Sequence, residues 1–278
     1  MELLSGLEPI ADNYDHFILD IWGVLHNGVR AYDTVVPCLE ALRALNKQVL
    51  LLTNSPNRAH YIPPQLDTMG IGSHLYDHII SSGESTHHAL QDYTGQNIYC
   101  FYKDEHPTAI EGLDMTRVHT PEEADVGLIS HLPRLMTADE YKPLLQRCLD
   151  RNLPVICANP DKVVDVGGTL YPCAGGVADL YEEMGGTVSW HGKPHAPVYE
   201  WAIELLGNPH KSRVLAIGDS IRTDITGASN FGIDVLWNVV GIHLMEISDN
   251  GHISEYKIKQ ALTGLPHVPT GILNGLAW

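Results

Sequence analysis

Four places in this sequence put acidic, hydroxyl or cationic side chains directly after or beside apolar runs. They are Asp20, Thr53 with Asn54, Lys193, and Asp219 with Asp224. Carboxylates delivered from two separate strand ends make a hard oxygen site of the kind that suits Mg²⁺. Phosphoryl transfer needs such an ion, together with hydroxyl, amide and cationic donors for the other phosphate oxygens. Thr53, the backbone around Asn54, and Lys193 in the segment HGKP are donors of these types. Taken singly, each residue has a simpler role. Asp20 begins a turn, Thr53-Asn54 caps a helix or closes an Asx turn, Lys193 is an exposed loop lysine, and Asp219 caps the helix that follows. Their order, each at the end of an apolar run, favours a shared site.

The elements that must position them follow from the pattern. HFILDI (16–21) is a short apolar run emptying into WGVLHNG, which reads as a buried strand and a loop. Val35, Leu39, Leu42 and Leu45 recur at helical spacing, and QVLLLTN (48–54) is a second buried strand. Strand, helix and strand make a βαβ unit and imply a parallel sheet. The pattern resumes with a helix over 195–207, a strand RVLAIGD (213–219), a helix TDITGASNFG closed by Gly232, and a strand IDVLWNV. The fold class is therefore α/β, with a doubly wound, Rossmann-like parallel sheet as core. In open α/β sheets ligands bind beyond the carboxyl ends of the strands, where these polar residues fall. Between the halves, NIYCFY, DVGLIS and PVICA are strand candidates, and a helix over 138–152 opens on a capping box of Thr137 and Glu140. The expected organisation is a core of 1–81 and 187–278 interrupted by an inserted α/β domain over 82–186.

Composition narrows the partners. The 278 residues carry a formal charge of −17, from 34 acidic and 17 basic residues, which disfavours nucleic acid and anionic membranes. Five cysteines without a Cys-x-x-Cys pair argue against a disulfide framework or a zinc site and fit reduced thiols in the cytoplasm. No signal peptide or membrane-spanning run is read. The 16 histidines are scattered, and their number carries no weight.

The motifs, in order, resemble the haloacid dehalogenase (HAD) superfamily: DIWGVL (20–25), TNS (53–55), GKP (192–194) and GDSIRTD (218–224). The insertion resembles that superfamily's class IIA cap. Within it, ANPD (158–161) followed by CAGGVADLYEEMGG is similar to the substrate-facing segment of NagD-type sugar-phosphate and 4-nitrophenyl-phosphate phosphatases. The resemblance implies a Mg²⁺-dependent phosphohydrolase acting on a small phosphorylated metabolite, a sugar phosphate or a nucleotide-like one. In it Asp20 would attack phosphorus and form an aspartyl-phosphate. Thr53 and the Asn54 backbone would hold phosphoryl oxygens, and Lys193 would neutralise charge. Asp219 would bind Mg²⁺ with Asp20 and the Trp22 carbonyl, while Asp224 would bind the ion through water or orient Lys193. Asn159 and Asp161 would meet the leaving group, and Trp190 and His191 lie beside the site. Class II caps also serve as dimer surfaces, so a homodimer is compatible with the resemblance.

One residue departs from the pattern. Phosphatases of the superfamily usually carry a second Asp two residues after the nucleophile, to protonate the leaving alcohol and then activate water. Here that residue is Trp22. Loss of a positioned acid/base costs roughly 10²–10⁴-fold in rate. Three readings follow: a phosphatase in which His191 or Asp161 supplies the proton, a phosphometabolite-binding protein with little turnover, and, more distantly, a dehalogenase, which needs neither acid nor metal. Asp219, Asp224 and the large cap speak against the last.

Overall fold

The apolar runs become strands of two parallel sheets in the computed structural model, which describes residues 3–102, 107–133, 136–166, 169–249 and 252–278. In chain order the strands are β1 (Leu3–Leu4), β2 (His16–Leu19), β3 (Gln48–Thr53), β4 (His78–Ser81), β5 (Asn97–Cys100), β6 (Thr116–Val118), β7 (Val126–Ile129) and β8 (Val155–Cys157). They continue as β9 (Val163–Val166), β10 (Thr169–Pro172), β11 (Val188–Trp190), β12 (Val214–Gly218), β13 (Asp234–Asn238), β14 (Ser248–Asp249), β15 (His252–Ile253) and β16 (Gly271–Leu273).

Seven strands form the larger sheet in the order β1-β16-β13-β12-β2-β3-β4, with every neighbouring pair parallel. Successive side chains point to opposite faces, so each strand feeds two cores. Phe17, Leu19, Val49, Leu51 and Leu215 pack on one side with Val35, Leu39 and Leu42 of the helix Val35–Ala44. Ile18, Leu50, Leu52, Ala216 and Trp237 pack on the other with Val198, Tyr199 and Ala202 of the helix Ala196–Leu205. Burial on both faces is why these strands read as unbroken apolar runs. Leu50 and Leu51 are fully buried, and truncating either to Ala would cost about 2–5 kcal/mol.

The second sheet, β11-β8-β7-β5-β6, is also parallel throughout, and all of its strands fall between β4 and β12 in the chain. It runs past residue 186, where the sequence suggests that the insertion ends. β11 is only three residues long, and the glycine pair before it reads as a boundary, yet Ser189 aligns with Ile156 of β8. The expected helix over 138–152 is split: a 3-10 turn, Ala138–Tyr141, precedes an α-helix, Lys142–Leu149, with Pro143 in its first turn. Proline has no N–H to continue the earlier turn. The Thr137–Glu140 capping box is present, with Thr137 N donating to Glu140 Oε2 at 2.7 Å. A widened π-helical turn, Ile221–Ile225, likewise precedes the helix Thr226–Phe231, which Gly232 closes in the left-handed region.

β9 and β10 form an antiparallel hairpin that the helix-and-strand reading above leaves out. No helix among the described residues is long and apolar enough to cross a membrane.

Candidate active site

β2, β3 and β12 lie side by side, with Leu19 aligned to both Leu51 and Ile217. Because the three strands run in parallel, the polar residues that end them emerge at one edge: Asp20, Thr53 with Asn54, and Asp219. Asp20 N continues the ladder by donating to Ile217 O at 2.9 Å.

Lys193 enters from the segment ahead of the helix Ala196–Leu205. Its Nζ lies 2.5 Å from Asp20 Oδ1 and 2.7 Å from Asp224 Oδ1. At 3% exposure it is no loop lysine in water. Asn54 holds it in place: Asn54 Oδ1 accepts from Lys193 N at 2.8 Å, and Asn54 Nδ2 donates to Lys193 O at 3.0 Å. This approach requires Gly192, whose φ is +115° and where an added Cβ would overlap Asn54 Oδ1. Asp224 is gripped from the other side by Ser220 N, 3.1 Å from its Oδ2. Asp224 thus touches Lys193, and it also offers an oxygen to the carboxylate group that could hold a cation.

Asp219 is held by Ile242 N, 2.7 Å from its Oδ2, and its backbone carbonyl accepts from the buried Trp237 indole at 2.9 Å. Gly23, with φ +87°, approaches so closely that a Cβ there would overlap the Asp219 carboxylate. The loop 240–242 and Trp237 carry no motif in the sequence, so their part in the site was not legible there.

Three buried carboxylates cluster here, and the Lys193 ammonium pairs with two of them. Burial pushes the Asp20 carboxyl up to about 7; Lys193 opposes the shift, and Asp224 adds to it. Asp219 is held well above the usual carboxylate range by burial and then by Asp20 and Asp224. Burial alone would depress Lys193, but Asp20 and Asp224 outweigh it and hold the ammonium charged. Asp20, Asp219 and Asp224 can each offer one oxygen, and these atoms lie within 4.8 Å of one another. An all-oxygen donor set with uncompensated negative charge fits a hard divalent cation.

The carboxylates open into a cavity of about 440 Å³ that is also lined by Trp22, Thr53, Asn54, Asp161 and the hairpin residues Val163 to Asp165. Asn159 does not line it. Its Oδ1 accepts from Asp161 N at 3.0 Å in an Asx turn, so it shapes the loop and does not face the cavity. Asp161 does reach the site, its Oδ1 accepting from Asn54 Nδ2 at 3.0 Å, and burial raises its carboxyl. His191 lies off the cavity between Ser85 and Ser189, each hydroxyl 3.1 Å from a ring nitrogen, and burial holds it down at about 4. Trp190 stacks on His195 with ring centroids 5.7 Å apart, which is packing.

Trp22 lines the cavity next to Asp20, and its indole N–H donates to the Asp165 carbonyl of β9 at 2.5 Å. Its ring meets His26 edge-on at 5.1 Å, and Gly28 sits so close that a Cβ there would overlap the ring.

Two family models match the chain: haloacid dehalogenase-like hydrolase over residues 17–116 and HAD-hydrolase-like over residues 190–253. The chain is 33% identical to a haloacid dehalogenase-like hydrolase from Brucella suis 1330, with 99% of this chain and 100% of that one covered and a TM-score of 0.84. This protein belongs to the haloacid dehalogenase-like hydrolases. It also shares its fold with a p-nitrophenyl phosphatase from Archaeoglobus fulgidus, at 20% identity and a TM-score of 0.71 over 95% of this chain and 97% of that one. A local match joins it to a pyrimidine 5'-nucleotidase of Escherichia coli (strain K12), 42% identical over 45 residues. That match spans 16% of this chain and 20% of the nucleotidase.

Proposed function

We propose that this haloacid dehalogenase-like hydrolase is a Mg²⁺-dependent phosphohydrolase acting on a small phosphorylated metabolite through an aspartyl-phosphate on Asp20. The carrying observation is Lys193 shared between Asp20 at 2.5 Å and Asp224 at 2.7 Å, with Asp219 beside them at the mouth of one cavity. The likeness to a p-nitrophenyl phosphatase and, locally, to a pyrimidine 5'-nucleotidase supports the same substrate class.

In this reading Asp20 attacks phosphorus, and the P–O bond to the leaving group breaks as the Asp20–phosphorus bond forms. Lys193 favours the ionised form of Asp20 and neutralises charge on the phosphoryl group. Thr53 and the Asn54 backbone hold phosphoryl oxygens, and the Asn54 side chain fixes Lys193. Asp20, Asp219 and the Trp22 carbonyl would hold Mg²⁺, with Asp224 at its margin. The ion, when bound, supplies Lewis-acid stabilisation of phosphoryl charge. Residues 82–186, with β11 added, would form the cap that encloses the substrate's organic part.

The test is phosphate release from 4-nitrophenyl phosphate with Mg²⁺ and with EDTA. Turnover that requires Mg²⁺ supports the reading. A second reading is favoured by Trp22, which stands where an acid is expected and whose N–H is already committed to Asp165 O. It is a phosphometabolite-binding protein with little turnover. No phosphate release, with phosphate or Mg²⁺ still raising the melting temperature, would select it.

A further inference from the structure

Trp22 cannot donate a proton to a leaving oxygen, so the other groups around the cavity decide whether any residue can. Asp20, Asp219 and Asp224 are the nucleophile and the cation cluster. Lys193 is held by two of them. His243 is engaged at both ring nitrogens, Nδ1 with Glu246 at 2.8 Å and Nε2 with Ile221 N at 3.4 Å. The Tyr32 hydroxyl is pushed up to about 12 by burial and then by nearby Asp219 and Asp165. Asp161 is left.

Its placement is unusually constrained. The Asp161 backbone N–H is fixed by Asn159 Oδ1, and its backbone carbonyl by Gly175 N, each at 3.0 Å. Its carboxylate accepts from the Asn54 amide through Oδ1. On one side Arg222 donates to Pro160 O, and on the other Trp22 donates to Asp165 O. Three core loops thus each send one donor to the segment 160–165: the loop after β2 through Trp22, the loop after β3 through Asn54, and the loop after β12 through Arg222. They are the same loops that carry Asp20, Thr53 and the Asp219–Asp224 pair. The carboxyl that results lines the cavity into which Asp20, Asp219 and Asp224 open.

We propose that Asp161 is the catalytic acid/base of this hydrolase, and that Trp22 acts by pinning the segment that carries it. The proposal rests on the phosphohydrolase reading above. In the first step Asp161 gives its proton to the bridging oxygen as that oxygen leaves phosphorus and Asp20 bonds to it. In the second step the Asp161 carboxylate takes a proton from the water that attacks the aspartyl-phosphate. That releases inorganic phosphate and returns Asp20 to its carboxylate. The sum is ester plus water giving alcohol plus phosphate. Burial, outweighing the Asn54 hydrogen bond and Lys193, favours the protonated start of this cycle; Asp224 acts in the same sense, and Arg222 against it.

The experiment measures kcat/KM of wild type and Asp161→Asn with Mg²⁺ on 4-nitrophenyl phosphate, phenyl phosphate and glycerol phosphate, in order of increasing leaving-group basicity. Nitrophenolate leaves with little need of a proton, whereas an alkoxide does not. The loss in Asp161→Asn should therefore grow along the series and reach about 10²–10⁴-fold on glycerol phosphate. A loss of the same factor on all three esters, or no loss, overturns the assignment, because a merely structural contact would not sense the leaving group. If the variant fails to fold by circular dichroism, the wild type decides: rates that vary little along the series support an internal acid, and a steep decline overturns it. A wild type that hydrolyses none of the three overturns the phosphohydrolase reading and this one with it; a uniform loss in an active enzyme overturns this one alone.

Discussion

The indole N–H of Trp22 meets the backbone carbonyl of Asp165 at 2.5 Å, joining the loop after β2 to the hairpin of the inserted domain. The position that would hold an acid in a typical phosphatase of this superfamily thus holds a clamp instead. The clamp bears on a neutral, buried ring: burial holds His26, which packs against Trp22, down at about 4, and its Nδ1 accepts from Gly28 N at 3.0 Å.

Trp22→Phe keeps the ring and removes the N–H, at a net cost of about 1 kcal/mol. Amide hydrogen exchange in the segment 160–166 should quicken several-fold while β2 and β3 stay unchanged. Exchange that does not move would show that the hairpin is held without this bond. Trp22→Asp should lower phosphatase activity, since it breaks the same bond and the acid is already supplied; a rise would show that the missing aspartate limits the rate.

Lys193→Met leaves Asp20 and Asp224 buried without their cation. Removing one partner of a buried ion pair costs about 3–5 kcal/mol. Urea titration of the metal-free protein should show a loss of this size, and Mg²⁺ should recover part of it by supplying positive charge. A loss below about 1 kcal/mol would mean that the cluster does not depend on Lys193 for neutralisation.

The buried carboxylates also set a pH dependence. In the folded, metal-free protein, Asp20 at about 7 and Asp219, also raised, hold protons that the unfolded chain releases near 3.8. The folded state then binds more protons than the unfolded one, so this contribution to stability is present at low pH and is lost as pH rises towards about 7. His26 and His191, both held near 4, act in the opposite sense between about 4 and 6.5. Comparing melting temperatures with Mg²⁺ and with EDTA cancels the histidines and isolates the cluster. The gap should widen from about pH 5 to pH 8, because protons and Mg²⁺ compete for the same oxygens. A gap that stays constant would place any bound Mg²⁺ elsewhere.

Asp20→Asn removes the proposed nucleophile and one of the three carboxylates of the cluster. Mg²⁺-dependent phosphate release should disappear, while the fold persists because Asn can still face Lys193. Turnover at the wild-type rate would take Asp20 out of the mechanism.

Much of the architecture was legible because it depends on residue order alone. β2, β3 and β12 are buried on both faces, so they stand out as apolar runs, and parallel pairing then carries Asp20, Thr53 and Asp219 to one edge. The hairpin β9–β10 was not legible in that way. Its residues are half-exposed, and Val163 and Leu170 face solvent, so no continuous apolar run marks it. The glycine pair between VVDV and TLY, two short stretches rich in strand-forming residues, is the local signal that could have found it. Asn159 and Asp161 sit two residues apart and read alike in sequence, yet one closes a turn and the other reaches the cavity. Only backbone direction separates them. Arg222 lay inside a recognised motif, but its donation to Pro160 O depends on how close the two sheets come, which spacing along the chain does not encode.

The larger sheet has a consequence for how the chain is made. Its central neighbours, β2 and β12, are separated by the whole of the second sheet in sequence. During synthesis, the strands from β5 to β11 leave the ribosome with their partners close at hand, whereas β2 waits for β12. Local pairings form before distant ones. Asp20, the proposed nucleophile, is thus translated before the rest of its site and is one of the last of these residues to acquire its surroundings, and a nascent chain stopped before Val214 carries Asp20 with no Asp219 to complete the cluster.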